Sequence, residues 1–131
     1  MSKILSKVFL LTLIFQLQMD VAIAQNFSKA EAGNFKRLDA AQLKDFFAKE
    51  VTLRRVGAGQ NDDLVFKPDG QHTIRGYTRN FEEKGKWDLK GDEICWSLPS
   101  SSRCRFFYLS GESWRLVSDT GEIRSEGVIK R

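Results

Sequence analysis

Reactive side chains are scarce in this sequence. Its 131 residues contain one histidine, His72, and two cysteines, Cys95 and Cys104. A single histidine, with no second histidine or free thiol, supplies neither a zinc ligand set nor the partner that a general base needs. His72 follows a turn and is expected at the surface. Ser100-Ser101-Ser102 has neither the G-x-S-x-G elbow nor an S-x-x-K lysine, and reads as a polar hairpin loop. Gly57-Ala58-Gly59 lacks the third glycine, the lysine and the following helix of a phosphate cradle, so it reads as a flexible loop. The carboxylates Asp62, Asp63, Asp69, Asp88, Asp92 and Glu93 fall at turns and do not follow the order of a calcium-binding EF-hand loop. These absences leave no catalytic residue, metal site or cofactor to assign, and the expectation is a protein that is not an enzyme.

Charge is also undramatic. The formal net charge is +4, with lysines and arginines spread among the acids and no block of five or six like charges. That argues against a nucleic-acid arm or a membrane-binding stripe. Long apolar runs are missing as well, apart from Val8–Phe15, which is far short of the roughly 20 residues of a spanning helix. Lys3 and Lys7 precede this run and Ala22-Ile23-Ala24 follows it, giving the three parts of a secretory leader with cleavage after Ala24. Residues 1–24 are therefore expected to be a cleaved signal peptide. Their removal takes away two lysines and one aspartate, which lowers the charge from +4 to +3. The mature chain carries no expected transmembrane span and is placed in the periplasm of a Gram-negative bacterium.

What is present is a pattern of short strands. Residues 25–37 are polar with little periodicity and read as a flexible leader, so the folded domain is expected at 38–131. Asp39 with Gln42 makes a capping box, and Leu38 with Leu43 a hydrophobic staple, at the start of a helix expected over Ala40–Lys49. Leu43, Phe46 and Phe47 give it one apolar face, and such a short helix must dock on something to persist. From Val51 the period changes to two. Strands are expected at Val51–Val56, Asp63–Lys67, Gln71–Arg79, Lys86–Lys90, Glu93–Leu98, Arg103–Leu109, Ser113–Ser118 and Glu122–Ile129, with Asn80–Lys84 a charged loop. The fold class is mainly β: a short N-terminal helix docked on a small antiparallel barrel or sandwich of about eight strands, lipocalin-like in its economy.

The centre of the pattern is Gly85–Cys104. A hairpin centred between Pro99 and Ser100 sets Cys95 opposite Cys104, and two cysteines in an exported chain most often pair. A redox pair would show C-x-x-C spacing, which is absent. With that register Trp87, Leu89, Ile94, Trp96, Leu98, Phe107, Leu109, Trp114, Leu116 and Ile123 face inward, and Arg105 points inward or sits at a rim. Phe81, Phe106 and Tyr108 are left outside. Together with Arg79, Arg103 and Arg105 they form a candidate recognition surface, since aromatics and arginine anchor interfaces.

Leu38–Leu43, Phe66-x-Pro68-Asp69-Gly70, Gly85-x-Trp87 and the cysteine pair that begins at Ile94-Cys95-Trp96 together resemble a family of small exported proteobacterial proteins, domain of unknown function 995. The resemblance spans roughly Leu38 to Val128, although Gln71 stands where the family has a small or aromatic residue. It implies export and a small β-rich fold and supplies no catalytic residue. The expected function is thus a non-catalytic binding module that recognises an envelope partner protein, as an inhibitor or sensor. The alternative is a lipocalin-like carrier of a small apolar ligand, which requires an interior that the tryptophans do not fill.

Overall fold

The computed structural model describes residues 2–57 and 61–131, with side chains from residue 13 onward. Of the Gly57-Ala58-Gly59 loop, Ala58 and Gly59 lie outside the described residues. Two helices, α1 (Ser2–Glu31) and α2 (Ala40–Phe46), and the two-residue strand β1 (Lys36–Arg37) precede or interleave with a run of strands. These are β2 (Val51–Arg55), β3 (Asp62–Phe66), β4 (Gln71–Gly76), β5 (Glu82–Lys90), β6 (Glu93–Leu98), β7 (Ser101–Ser110), β8 (Ser113–Val117) and β9 (Ile123–Ile129). Each of β2 to β9 pairs antiparallel with the next, and β9 returns to β2, so the sheet closes into an eight-stranded barrel. Closure selects the barrel over the sandwich and removes nearly every open edge.

Register follows the expectation at the centre. Cys95 stands opposite Cys104 and the two form a disulfide with their Cα atoms 4.0 Å apart. Period two then sends Ile94, Trp96 and Leu98 inward from β6, and Arg103, Arg105 and Phe107 inward from β7. The interior at one end is filled by α2. Its capping box is formed, with Asp39 accepting from the Gln42 amide at 2.8 Å and Gln42 accepting from the Asp39 amide at 2.9 Å. Leu43 and Phe47 are buried on its apolar face. Phe47 lies with ring centroids 5.4 Å from Phe66, 5.5 Å from Trp87 and 5.4 Å from Phe107, an aromatic plug across the barrel end where β2 begins. The helix stops at Phe46 rather than Lys49, because Phe47 already leaves helical geometry to turn into β2.

Other expectations are corrected. Glu82–Lys84 belong to β5 rather than a loop, paired with Thr73–Arg75. The charges of Glu82 and Lys84 point outward, Glu82 reaching Arg75 at 3.1 Å and Lys84 at 3.3 Å, while Glu83 between them faces the inside of the barrel. Conversely β4 ends at Gly76, leaving Arg79 in the following loop. Ile123 is 37% exposed instead of inward, because a register shift between Leu116 and Val117 sets it opposite Val117 on the outer face. His72 is not at the surface but 1% exposed, since it alternates with Ile74 on the inner face of β4.

Residues 25–37, expected to be a flexible leader, are ordered against the barrel. α1 runs through Ala24 and ends where Gly33 and Asn34 adopt left-handed backbone, φ +88° and +63°. Phe27 and Ala30, one helical turn apart, pack with Phe35 over Phe106, Tyr108 and Val117. Arg115 donates to the terminal carbonyls of Lys29, Ala30 and Ala32 at 3.3, 3.1 and 2.6 Å, and its guanidinium lies 3.8 Å from the Phe35 ring centroid. β1 then adds to the edge of β7, with Leu38 N–H continuing to the Phe107 carbonyl at 2.9 Å. Upstream of these contacts, Leu13, Ile14, Phe15, Leu17, Met19 and Val21 are exposed. No helix among the described residues is long and apolar enough to cross a membrane.

Candidate functional site

The end of the barrel opposite α2 is not filled. β2, β4, β6 and β8 finish there, and β3, β5, β7 and β9 start there, so the inner-face alternation decides what lines it. Leu64, Ile74, Trp96 and Leu98 make its apolar floor and wall, and five arginines, Arg55, Arg79, Arg103, Arg105 and Arg124, ring the opening with two carboxylates, Asp62 and Glu83. The volume of this open cavity is about 370 Å³, within the range of small-molecule sites. Ser100, Ser101 and Ser125 add hydroxyl groups to the wall.

An irregularity in the sheet shapes this mouth. β8 ends at Val117, opposite Phe106, whereas β7 runs back a further five residues to Ser101 along β6. The first half of β7 thus has β6 on one side and no ladder on the other. Arg105 folds back on that open edge, its Nη1 donating to the Cys104 carbonyl at 2.9 Å. The β6–β7 loop is held down by Glu83, whose Oε1 accepts from the Ser100 amide at 2.8 Å. That hydrogen bonding holds the Glu83 carboxyl below its ordinary range, so it stays charged and committed to the loop.

The arginines divide by partner. Arg55 is neutralised by Asp62, with Nε 2.6 Å from Oδ1 and a second contact from Nη2 to Oδ2. Arg124 reaches the exposed Glu122 at 3.2 Å. Among the described residues, Arg79, Arg103 and Arg105 form no ion pair with a carboxylate. Arg79 instead lies over Phe81, 5.2 Å from its ring centroid. Burial pushes the Arg105 guanidinium down from its ordinary value, and the positive charges of Arg103 and Arg124 push it further. The mouth is therefore a concentration of cations under mutual repulsion.

Beneath the floor lies His72. Its ring stacks on Phe66 at 4.3 Å between centroids and is 5.9 Å from Trp96. Nδ1 is 2.9 Å from the Val65 carbonyl, which can only accept, so Nδ1 carries the proton and Nε2 is a bare lone pair. Nε2 is buried and, among the described residues, has no hydrogen-bond partner. Burial, against the Val65 hydrogen bond and aided by the charge of Arg55, lowers this imidazole from 6.5 to about 4. It is neutral at neutral pH.

Of the six residues expected on a recognition surface, four gather here: Arg79, Phe81, Arg103 and Arg105 line the cavity. Phe106 and Tyr108 do not join them. Both face the outside of the barrel, as the parity of β7 requires, but they lie beneath α1 and the turn that follows it. Tyr108 is only 2% exposed and Phe106 packs 6.2 Å from Phe27 with Arg37 over its ring at 4.5 Å. Burial raises the Tyr108 phenol above its ordinary value. Sequence reasoning missed Arg55, Asp62 and Arg124. The first two were accessible to it, because Val51-Leu53-Arg55 and Asp62-Leu64-Phe66 each carry the inward alternation to the strand end. Arg124 carried no such signal, since its place depends on the shift between Leu116 and Val117.

Compared with known proteins, the chain matches no family model, no curated protein and no solved structure.

Proposed function

We propose that this chain is an exported, non-catalytic binding barrel that takes a small organic molecule into its open end. The observation that carries the reading is the cavity of about 370 Å³ at the end opposite the aromatic plug, with apolar side chains below and hydrogen-bond donors above. An interior packed to both ends would leave no place for a ligand. Export is supported by the leader-like residues 1–24, whose helical positions from Leu13 to Val21 are exposed, and by the disulfide, which favours an oxidising compartment such as the periplasm. Loss of that segment would leave Asn26 and Phe27, which contact Thr120 and Phe106, in the mature chain. A non-catalytic role accords with the single imidazole, whose one polar contact among the described residues is a backbone carbonyl.

A second reading keeps a protein partner. Phe81, 37% exposed with Arg79 over its ring, stands at the rim and would accept an inserted loop of an envelope protein. The two separate in one experiment. Protein purified from the periplasm of an expressing bacterium is analysed by native mass spectrometry, beside an Ile74→Trp variant that fills the cavity. A small-molecule mass adduct present on the native chain and absent from the variant supports the carrier. An adduct-free chain that crosslinks to one envelope protein through the Phe81 rim favours the partner.

A further inference from the structure

We infer that the ligand of this barrel is a small amphipathic anion, its acidic head held among Arg103, Arg105 and Arg124 and its short apolar body laid on Trp96, Leu98 and Ile74. This rests on the carrier reading and specifies its ligand class. Three features lead to it. First, Arg103 and Arg105 lack a carboxylate among the described residues, while Arg55, on the same rim, has Asp62. These two cations face the cavity from the unladdered half of β7, whereas Arg79, also without a carboxylate among the described residues, lies over Phe81 at the rim. Guanidinium cannot shed its proton, and Asp119 and Glu93 offset only part of the repulsion at Arg105, so an anion from outside relieves the rest. Second, each guanidinium has five N–H donors in a planar fork suited to oxyanions, and Arg105 spends one on the Cys104 carbonyl. Third, the surface directly beneath is apolar, with Leu98 buried and Trp96 half-buried. Inorganic phosphate would leave that floor in contact with water, whereas an alkyl or aryl group would cover it. The volume holds about a dozen water-sized groups, which suits a chain near eight carbons and not a two-chain lipid.

The test is titration calorimetry of the purified full chain at low and moderate salt with octyl phosphate, octyl sulfate, octyl glucoside, octyltrimethylammonium and inorganic phosphate. Octyl phosphate or octyl sulfate is expected to bind at least tenfold more tightly than the glucoside or the cation, and to weaken as salt rises. Inorganic phosphate is expected to bind at least tenfold more weakly than its octyl ester. Arg103→Gln/Arg105→Gln should abolish the preference for the anion, bringing octyl phosphate down to the affinity of the glucoside. Arg105→Lys should lose part of it, because charge is kept and the fork is not. Unchanged circular dichroism checks that each variant is folded. Equal binding of all four octyl compounds would overturn the anionic head and leave the carrier intact. Equal binding of inorganic phosphate and octyl phosphate would overturn the apolar body. If no octyl compound binds, this inference fails; if in addition Ile74→Trp behaves as the native chain does, the carrier reading fails with it.

Discussion

Cys95 and Cys104 are direct cross-strand partners, Cα atoms 4.0 Å apart, and this pairing decides the direction of every side chain on β7. A slip by one residue would turn Phe107 out of the core and Arg103 and Arg105 out of the mouth. The disulfide thus locks the register on which both the packed and the open end depend. Reduction, or the double substitution Cys95→Ser/Cys104→Ser, is expected to lower stability by about 2–3 kcal/mol. Denaturant unfolding with and without a reductant measures it. An unchanged midpoint would mean that closure of the barrel alone fixes the register.

Much of this was legible in the sequence because alternation and turn chemistry are local. The cysteine pairing, the capping box at Asp39 and the inward set from Trp87 to Leu98 follow from neighbours within about ten residues. What was not legible depends on contacts made at long range. Phe27 and Ala30 gave no clear period among polar neighbours, and nothing nearby says that Phe106 and Tyr108 would meet them across some eighty positions of chain. His72 looked like a surface residue because it follows the Pro68-Asp69-Gly70 turn, and only the pairing with Phe66 shows it turned inward. The mouth required both kinds of information: the arginines were visible, but the missing partner strand beside β7 was not.

His72 gives a stability that depends on pH. Its folded value of about 4 lies below the ordinary 6.5, so between those limits the unfolded chain binds a proton that the folded chain refuses. Stability therefore falls as pH drops from 6.5 toward 4 and levels below that. The expected loss between neutral pH and about pH 4.5 is about 2–3 kcal/mol. His72→Leu removes this component, so the native-minus-variant difference in unfolding free energy should shrink across that interval. A constant difference would show that His72 does not carry the acid sensitivity.

Gly85 on β5 lies where the backbone of β6 approaches closely. A Cβ built there would lie 1.9 Å from the Ser97 carbonyl oxygen and 3.1 Å from Leu98 Cδ2. The first of these is backbone and cannot swing aside. Gly85→Ala must push β6 away from β5 next to Leu98, and is expected to destabilise by about 2–3 kcal/mol, in the range of overpacking. Thermal unfolding reads the loss. The same displacement moves Leu98 at the cavity wall, so ligand affinity should fall in the folded fraction too.

Arg105 should behave in the opposite sense. It sits partly buried among Arg103 and Arg124, and its only polar contact among the described residues is the carbonyl of the adjacent Cys104. A residue selected for folding alone would gain a carboxylate partner or give way to a neutral side chain. Arg105→Gln keeps a hydrogen-bond donor, removes one of the repelling charges and opens no cavity in the packed half of the barrel. It is expected to leave the fold intact and raise the unfolding free energy by about 0.5–1 kcal/mol, as removal of strain at a working site commonly does. High salt should shrink the difference, because screening already relieves the native cluster. A gain in stability coupled to a loss of anion binding would mark Arg105 as retained for its ligand. A loss of stability that salt does not alter would assign it instead to holding the open edge of β7.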